Sequence, residues 1–283
     1  MAKDSPKADF SHIYNRRDPR QFFKELQSLD YQVPHHALPF LQAAVEWLSR
    51  DGDEKPPKVL DICCSYGVNA ALLRYEISFA ALVDHSSSAS RQPAAEEQIA
   101  SDVRYFSSLP KRYDISIAGL DVAQNAVQYA VGTGLLTAGY TENLEIEEMS
   151  PELQQELKEV RLLTCTGGVG YVGVDTFSRI MKAISNPKRV WVVAFVLRIF
   201  SYDEISILLS ESGLVTEKIP DAVFCQRRFA SSEEQQRAMA TVRAKGLDPT
   251  GLEADGWYYA ECFISRPDDE VQRYPLKEVI RIV

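Results

Sequence analysis

The stretch Val59-Leu-Asp-Ile-Cys-Cys-Ser-Tyr-Gly67 decides the fold of this chain. Its first half is apolar almost without a break, as in strands that helices cover on both faces, so we predict a buried strand from Lys58 to Cys64. A turn is predicted from Ser65 to Asn69, and a helix opens at Ala70. A small-residue turn between a strand and a helix lets the backbone approach a ligand closely. The stretch therefore predicts a ligand-binding loop, with an ordinary tight turn as the alternative.

Strand and helix patterns alternate along the chain after this stretch. Further strands are predicted at 115–120, 138–146, 160–166, 189–197, 214–219 and 257–265, and helices at 122–134, 151–158, 177–184 and 202–212. This order predicts an α/β protein with a Rossmann-like parallel sheet and helices on both faces. Residues 76–112 interrupt the order and are interpreted as an insertion, with a loop at 86–93 and a helix at 94–106. Ligands of such sheets bind outside the carboxyl ends of the strands.

Residues 1–52 are predicted to form an N-terminal helical cap on a Rossmann-like domain of residues 53–283. Segments 20–31 and 36–50 carry apolar residues at helical spacing. The cap is either a buttress or a lid over a site. Four side chains suit a lid, and they are Tyr14, Arg16, Arg17 and Tyr31. Arginine suits the carboxylate of an amino acid, and solvated surface side chains are the alternative.

The composition favours a folded protein with an acidic surface. Of the 283 residues, 45% are hydrophobic and 25% are charged, and the formal net charge is −9. The apolar fraction supports a sizeable core, and the negative charge repels phosphate backbones and anionic lipid. We therefore expect a small-molecule substrate and neither a nucleic-acid nor a membrane partner, and the oligomeric state stays open.

Cysteine and histidine usage bears on compartment and metal binding. The five cysteines, an odd number without CxxC spacing, are interpreted as reduced thiols of a cytoplasmic protein, with a catalytic cysteine as the alternative. The first ten residues contain no apolar signal core. The longest apolar run, Val190 to Leu197, is too short to span a bilayer. The four histidines lack HxH and HExxH spacing, so no metal site is predicted.

Asp121 closes the second predicted strand, in Gly119-Leu-Asp-Val-Ala123. In Rossmann-like domains a carboxylate at this place accepts hydrogen bonds from ribose hydroxyls. A helix N-cap is the alternative, because a predicted helix starts directly after it. Together with the loop after the first strand, Asp121 predicts a nucleoside site.

Three segments together resemble class I S-adenosylmethionine-dependent methyltransferases, and they are Val59 to Gly67, Gly119 to Ala130 and Leu163 to Tyr171. The resemblance covers roughly residues 58–215 and implies S-adenosylmethionine (SAM) as substrate or methyl donor, without a metal. It implies that the first loop cradles the methionine part, that Asp121 binds ribose and that Val122 flanks adenine. The cofactor-binding candidates are Asp61, Cys63, Ser65, Gly67, Asp121, Val122, Thr166 and Gly167. The chain departs from the family in its glycine-poor loop and in the insertion.

The predicted fourth strand ends in Thr164-Cys-Thr-Gly-Gly-Val-Gly-Tyr171, and in this fold that edge faces the sulfonium. Tyr171 suits a cation–π contact there, and a core tyrosine is the alternative. Asn143, after the third predicted strand, is a candidate for binding adenine or an amino group, and a turn-forming asparagine is its alternative. The catalytic candidates are Tyr171, Asn143 and Tyr14.

Over its whole length the chain also resembles bacterial azetidine-2-carboxylate synthases, which share this fold. The resemblance implies that SAM is cyclised on itself to azetidine-2-carboxylate, with release of methylthioadenosine. A conventional small-molecule methyltransferase and a non-catalytic SAM-binding module remain as alternatives. A NAD-dependent dehydrogenase is disfavoured because GxGxxG is absent.

One basic island, Gln226-Arg-Arg-Phe229, stands out in the acidic chain. It suits a carboxylate ligand, but Glu233 and Glu234 follow closely. We expect these charges to pair with one another at the surface.

Overall fold

The computed structural model describes residues 11–50, 56–87 and 94–280. Eight strands lie within these ranges, at β1 (Lys58–Ile62), β2 (Ile117–Leu120), β3 (Ala138–Tyr140), β4 (Val160–Thr166), β5 (Trp191–Leu197), β6 (Leu214–Lys218), β7 (Phe224–Arg228) and β8 (Trp257–Pro267). The α-helices are α1 (Ser11–Tyr14), α2 (Arg20–Ser28), α3 (Val33–Leu48), α4 (Val68–Arg74), α5 (Phe79–Ser87), α6 (Ala95–Ser108), α7 (Gln124–Gly132), α8 (Pro151–Leu157), α9 (Val174–Ala183), α10 (Asp203–Glu211), α11 (Ser232–Ala244), α12 (Asp268–Arg273) and α13 (Leu276–Val279).

The strands form one mixed sheet in the order β3-β2-β1-β4-β5-β8-β6, and β7 pairs with the first part of β8. The five strands from β3 to β5 are parallel. This order confirms the α/β Rossmann-like prediction. The direction of the strand order reverses at β1, because β2 and β3 lie on one side of it and β4 and β5 on the other. The prediction of a purely parallel sheet is wrong at one side, because β8 runs antiparallel to β5, β6 and β7.

Helices cover both faces of the sheet, as the unbroken apolar run of β1 and the alternation of strands and helices predicted. Along β5, Val193 and Phe195 join the core on the face of α3, α4 and α7. Val192 and Ala194 join a second core with α8, α9 and α10 on the opposite face. Every residue of β5 is buried, so alternate side chains serve alternate cores.

The N-terminal helices share the first of these cores with the sheet. Helix α3 packs on it through Phe40, whose ring meets the ring of Phe195 edge to face at 5.4 Å. Pro34 stands at the start of α3, where a missing N–H costs nothing. The predicted boundary between residues 52 and 53 lies outside the described residues, and the division into cap and domain stays a prediction.

The inserted segment between β1 and β2 consists of α5 and α6. The buried carboxylate of Asp102 holds them together, because it accepts hydrogen bonds from Gln98 and from Tyr129 on α7 and contacts His85 on α5. Helix α6 confirms the helix expected near 94–106, whereas α5 extends into the expected loop and residues 88–93 lie outside the described part. No helix within the described ranges is long and apolar enough to cross a membrane.

Candidate functional site

Asp61 is a buried carboxylate at the carboxyl end of β1. Its Oδ1 accepts hydrogen bonds from Thr164 Oγ1 at 2.6 Å and from Asn69 Nδ2 at 3.1 Å. Its Oδ2 is buried and has no hydrogen-bond partner among the described residues. Burial raises the pKa of Asp61 to about 6, against the two hydrogen bonds that lower it. Asn69 also donates to Thr166 Oγ1 at 3.2 Å, so this network joins the ends of β1 and β4.

The loop after β1 turns through three residues with left-handed backbone, which are Cys63 (φ 59°), Ser65 (φ 48°) and Gly67 (φ 75°). Only the last is a glycine, although this conformation normally favours glycine. A Cβ on Gly67 would lie 3.0 Å from the Cβ of Ala130 on α7. The structure therefore uses Gly67 for packing against α7, while the side-chain oxygen of Ser65 is buried without a partner in the described residues.

Asp121 follows β2 and reaches across to the same loop. Its Oδ2 accepts from the backbone N–H of Ser65 at 2.9 Å, and its Oδ1 accepts from the backbone N–H of Ala123 at 2.9 Å. A carboxylate has about four acceptor positions, so lone pairs remain for hydroxyl donors. Burial raises the pKa of Asp121. Val122, beside it, is 64% exposed.

The end of β4 is packed so closely that glycine is required there. A Cβ on Gly168 would lie 2.8 Å from the sulfur atoms of both Cys63 and Cys165. A side-chain hydrogen bond with Cys165, followed by burial, raises the pKa of the Cys63 thiol well above its usual range. A thiol of raised pKa is a poor nucleophile, so the geometry favours a structural role for Cys63.

Two tyrosines of the N-terminal region, Tyr14 and Tyr31, pack edge to face on the ring of Phe22, with centroid distances of 5.4 and 6.4 Å. The pKa of Tyr14 is raised first by burial, then by Tyr31 and Tyr171, and further by Asp121. Burial also raises the pKa of Tyr31, with smaller contributions from Asp61 and Tyr171. Tyr171 is 45% exposed, and the roles of Tyr14 and Tyr171 at a ligand stay predictions.

The segment that carries Tyr14 is anchored over the loop after β1. The hydroxyl of Tyr66 accepts from the backbone N–H of Arg16 at 2.8 Å and lies 3.0 Å from the carbonyl oxygen of Ile13. The side chain of Asn15 accepts from the backbone N–H of Asn125 at the start of α7, at 2.8 Å. The N-terminal segment therefore crosses the strand ends beside Asp121.

Asn143 follows β3, as expected, but its side chain is engaged in a turn. Its Oδ1 accepts from the backbone N–H of Glu145 at 3.2 Å. This is the contact of a turn-forming asparagine. A role for its amide nitrogen at a ligand stays a prediction.

The interpretation of the basic island as surface pairing is wrong. Arg227 is 2% exposed and Glu234 is 1% exposed, and their side chains form two hydrogen bonds of 2.7 and 3.0 Å. Gln226 is buried as well. The charge pattern predicted the right partner for Arg227, but a run of polar residues carries no signal of burial. Gln226 was missed for the same reason.

Among the described residues, no three histidine, cysteine or acidic side chains are arranged to hold a metal ion. What the strand ends offer is acidic and aromatic. Asp61 and Asp121 lie at the ends of β1 and β2, and the buried oxygens Asp61 Oδ2 and Ser65 Oγ lack partners among the described residues. Arg227, which lowers the pKa of Tyr14 and Tyr31, is bound to Glu234. Such a site suits a cationic organic ligand.

Comparison with known proteins finds no matching protein family and no matching curated protein. Solved structures are similar at low identity. The plantazolicin methyltransferase BamL in complex with a triazolic desmethylPZN analog and SAH is 12% identical with a TM-score of 0.43, over 91% of this chain and 99% of that one. A TehB-like SAM-dependent methyltransferase from Corynebacterium glutamicum is 11% identical with a TM-score of 0.38, over 81% and 89%. Magnesium protoporphyrin IX methyltransferase from Synechocystis with bound SAM is 10% identical with a TM-score of 0.35, over 87% and 84%.

Proposed function

We propose that this chain binds SAM across the carboxyl ends of β1, β2 and β4 and cyclises it to azetidine-2-carboxylate, releasing methylthioadenosine. The observation that carries the proposal is the pair of carboxylates at the ends of β1 and β2, Asp61 and Asp121, with the segment that carries Tyr14 anchored over the loop after β1. SAM has a sulfonium and an ammonium group, and this acidic, aromatic site matches both.

We propose that different residues bind different parts of SAM. Asp121 accepts from the ribose hydroxyls with its remaining lone pairs, and Val122 lies beside the adenine. The loop from Asp61 to Gly67 and the edge at Thr166 and Gly167 hold the methionine part. Support comes from the partnerless buried oxygens of Asp61 and Ser65, since buried polar atoms without a partner are rare unless a ligand or water completes them.

SAM supplies a carbon that a nucleophile can attack, activated by the positive sulfur. In the cyclisation, the ligand's ammonium first gives a proton to solvent water, before the site closes around it. The amine nitrogen then bonds to Cγ, the Cγ–S bond breaks, and its electron pair stays on sulfur as neutral methylthioadenosine. The protein's part is to hold the bent conformer and keep water out. We assign the positioning to Tyr14 and Tyr171, with Asn143 as the further candidate.

A conventional methyltransferase is the second candidate, because one feature favours it. A cavity of about 390 Å³ lies between α2, α3 and α5, with Tyr31 on its wall. That volume is within the range of small-molecule sites, and in this second proposal the cavity holds the acceptor. The five unpaired cysteines support a place in the reducing cytoplasm for either activity.

The test is incubation of the pure protein with SAM alone, followed by mass spectrometry of the products. Azetidine-2-carboxylate and methylthioadenosine in equal amounts are expected. S-adenosylhomocysteine that forms only after an acceptor is added would instead establish a methyltransferase. SAM that binds in calorimetry but is recovered unchanged both alone and with acceptors added would favour a non-catalytic module.

A further inference from the structure

Gln226 is the extra residue of a β-bulge. In the pairing of β7 with β8, Cys225 stands opposite Tyr259 and Arg227 stands opposite the next residue, Tyr258, which leaves Gln226 without a place in the ladder. Gln226 and Arg227 are consecutive and both buried, whereas Phe224 and Cys225 before them are only half-buried. Bulges redirect side chains in this way, and they are frequent beside active sites.

The bulge directs the Gln226 side chain to the end of β4. A Cβ on Gly167 would lie 2.9 Å from Gln226 Nε2, so the amide lies directly over the glycine backbone. Gln226 is 3% exposed, and its Oε1 is buried with no hydrogen-bond partner in the described ranges. A buried amide without a partner is unfavourable unless something else completes it.

The backbone of Gln226 is fixed from the other side. Its carbonyl oxygen accepts from the N–H of Gln32 at 2.7 Å, and the N–H of Arg228 donates to Leu29 at 2.7 Å. These bonds tie β7 to the corner between α2 and α3, next to Tyr31. The side chain is therefore held at the strand ends by both the sheet and the N-terminal helices.

We propose that Gln226 is a ligand-binding residue whose amide oxygen accepts a hydrogen bond from a protonated amine. Two observations favour a cationic ligand group over an anionic one. The partnerless oxygen of Asp61 lies at the same edge of strand ends, and the side chain of Arg227 is already paired with the carboxylate of Glu234. The ligand group is thus the ammonium of an amino-acid end. This inference rests on the proposed binding of SAM and adds the residue that reads its amine.

The experiment uses Gln226→Met, which keeps the length of the side chain and removes its polar atoms. Binding is measured by calorimetry for SAM, for decarboxylated SAM, which keeps the amine, and for methylthioadenosine, which lacks the amino-acid end. The control is Gln235→Met on α11, whose amide donates to the carbonyl oxygens of Glu253 and Ala254 away from β4. The melting temperature of each variant is recorded.

We expect Gln226→Met to weaken SAM and decarboxylated SAM by about 10- to 100-fold, as for a lost hydrogen bond to a charged group. Methylthioadenosine binding should stay within about twofold, and the melting temperature should be unchanged or higher, because a partnerless buried amide is removed. Gln235→Met should not change the binding of any of the three ligands.

Three results overturn the inference while leaving SAM binding intact. They are equal affinities for wild type and Gln226→Met, equal weakening of all three ligands, and weakening of SAM but not of decarboxylated SAM, which would point to the carboxylate. A wild-type protein that binds no SAM overturns the proposed function, and this inference falls with it.

Discussion

Gln226 and Arg227 are neighbours in the chain, and their buried polar groups differ in whether they have a partner within the protein. The guanidinium of Arg227 is closed by both oxygens of Glu234 and lies 4.9 Å from the ring centre of Tyr258. The amide oxygen of Gln226 has no hydrogen-bond partner among the described residues. The same holds for the carboxylate Oδ2 of Asp61 and the hydroxyl oxygen of Ser65. Burial of a polar group is costly in both places. Where the cost is offset within the chain, the group stabilises the fold, and where it is not, as at these strand ends, a ligand or an ordered water is the expected partner.

The largest effect is expected from a substitution that removes the ion pair of Arg227 and Glu234. Glu234→Gln leaves the Arg227 charge buried without its counter-ion and is expected to lower the free energy of unfolding by about 3–5 kcal/mol. Urea unfolding measures the change. Glu233→Gln, one residue earlier and exposed, is the control and should change stability by less than about 0.5 kcal/mol. Equal effects of the two variants would contradict a closed structural pair.

The next test removes charge at the open edge. Asp121→Asn is expected to weaken SAM binding by about 10- to 100-fold, because charge-assisted hydrogen bonds to the ribose become neutral ones. Calorimetry measures the affinity, and the exposed Asp114→Asn is the matched control. If Asp121 serves only to cap the turn at Ala123, affinity will stay the same while stability falls.

The pH dependence sharpens the comparison further, because Asp61 titrates at the open edge with a pKa of about 6. Its ionised form attracts a cationic ligand, so SAM affinity should rise by roughly tenfold between pH 5 and pH 7.5. Calorimetry at both pH values measures this rise. The rise should be absent in Asp61→Asn, and an equal rise in that variant would assign it to another group.

The same raised pKa sets the sign of a stability effect in the ligand-free protein. Folding favours the protonated form of Asp61. Its contribution to stability is therefore present below the ordinary value of 3.8 and is lost as the pH rises through about 6.

The smallest expected effect concerns the aromatic face at the edge. Tyr171→Ala should weaken SAM binding by about 2- to 30-fold, which corresponds to a cation–π contribution of about 0.5–2 kcal/mol. Tyr171→Phe is the matched control and should bind within about twofold of wild type, since it keeps the ring. Loss of affinity in the Phe variant would show that the hydroxyl, and not the ring, makes the contact.

Local patterns were enough to predict one part of this site. The unbroken apolar run before Cys63 predicted β1, and the alternation of strands and helices put Asp61, Asp121 and Thr166 at one edge of the sheet. These predictions hold because parallel strands bring their carboxyl ends together whatever their detailed packing.

The rest depends on contacts that no local pattern encodes. Thr164 bonds to Asp61 across 103 positions of sequence. The bulge that redirects Gln226 forms only when β7 pairs with β8. The segment from Phe224 to Arg228 ends in three polar residues, a composition that is typical of an exposed loop. Gly67 suggested a ligand, but its neighbours in space show that α7 needs it.

Strand β7 bonds both to β8 and to the corner at Gln32. These contacts affect the order in which parts of the protein fold during synthesis. A ribosome delivers the corner at Gln32 before β8, with more than two hundred residues between them. Contacts this distant in sequence form late, since a long loop must close before they contribute. The sheet from β3 to β5 can assemble while the chain is still growing. The place where Gln226 and Tyr31 meet the strand ends can be completed only after β8 has emerged, so the ligand site is expected to be the last part of the protein to mature.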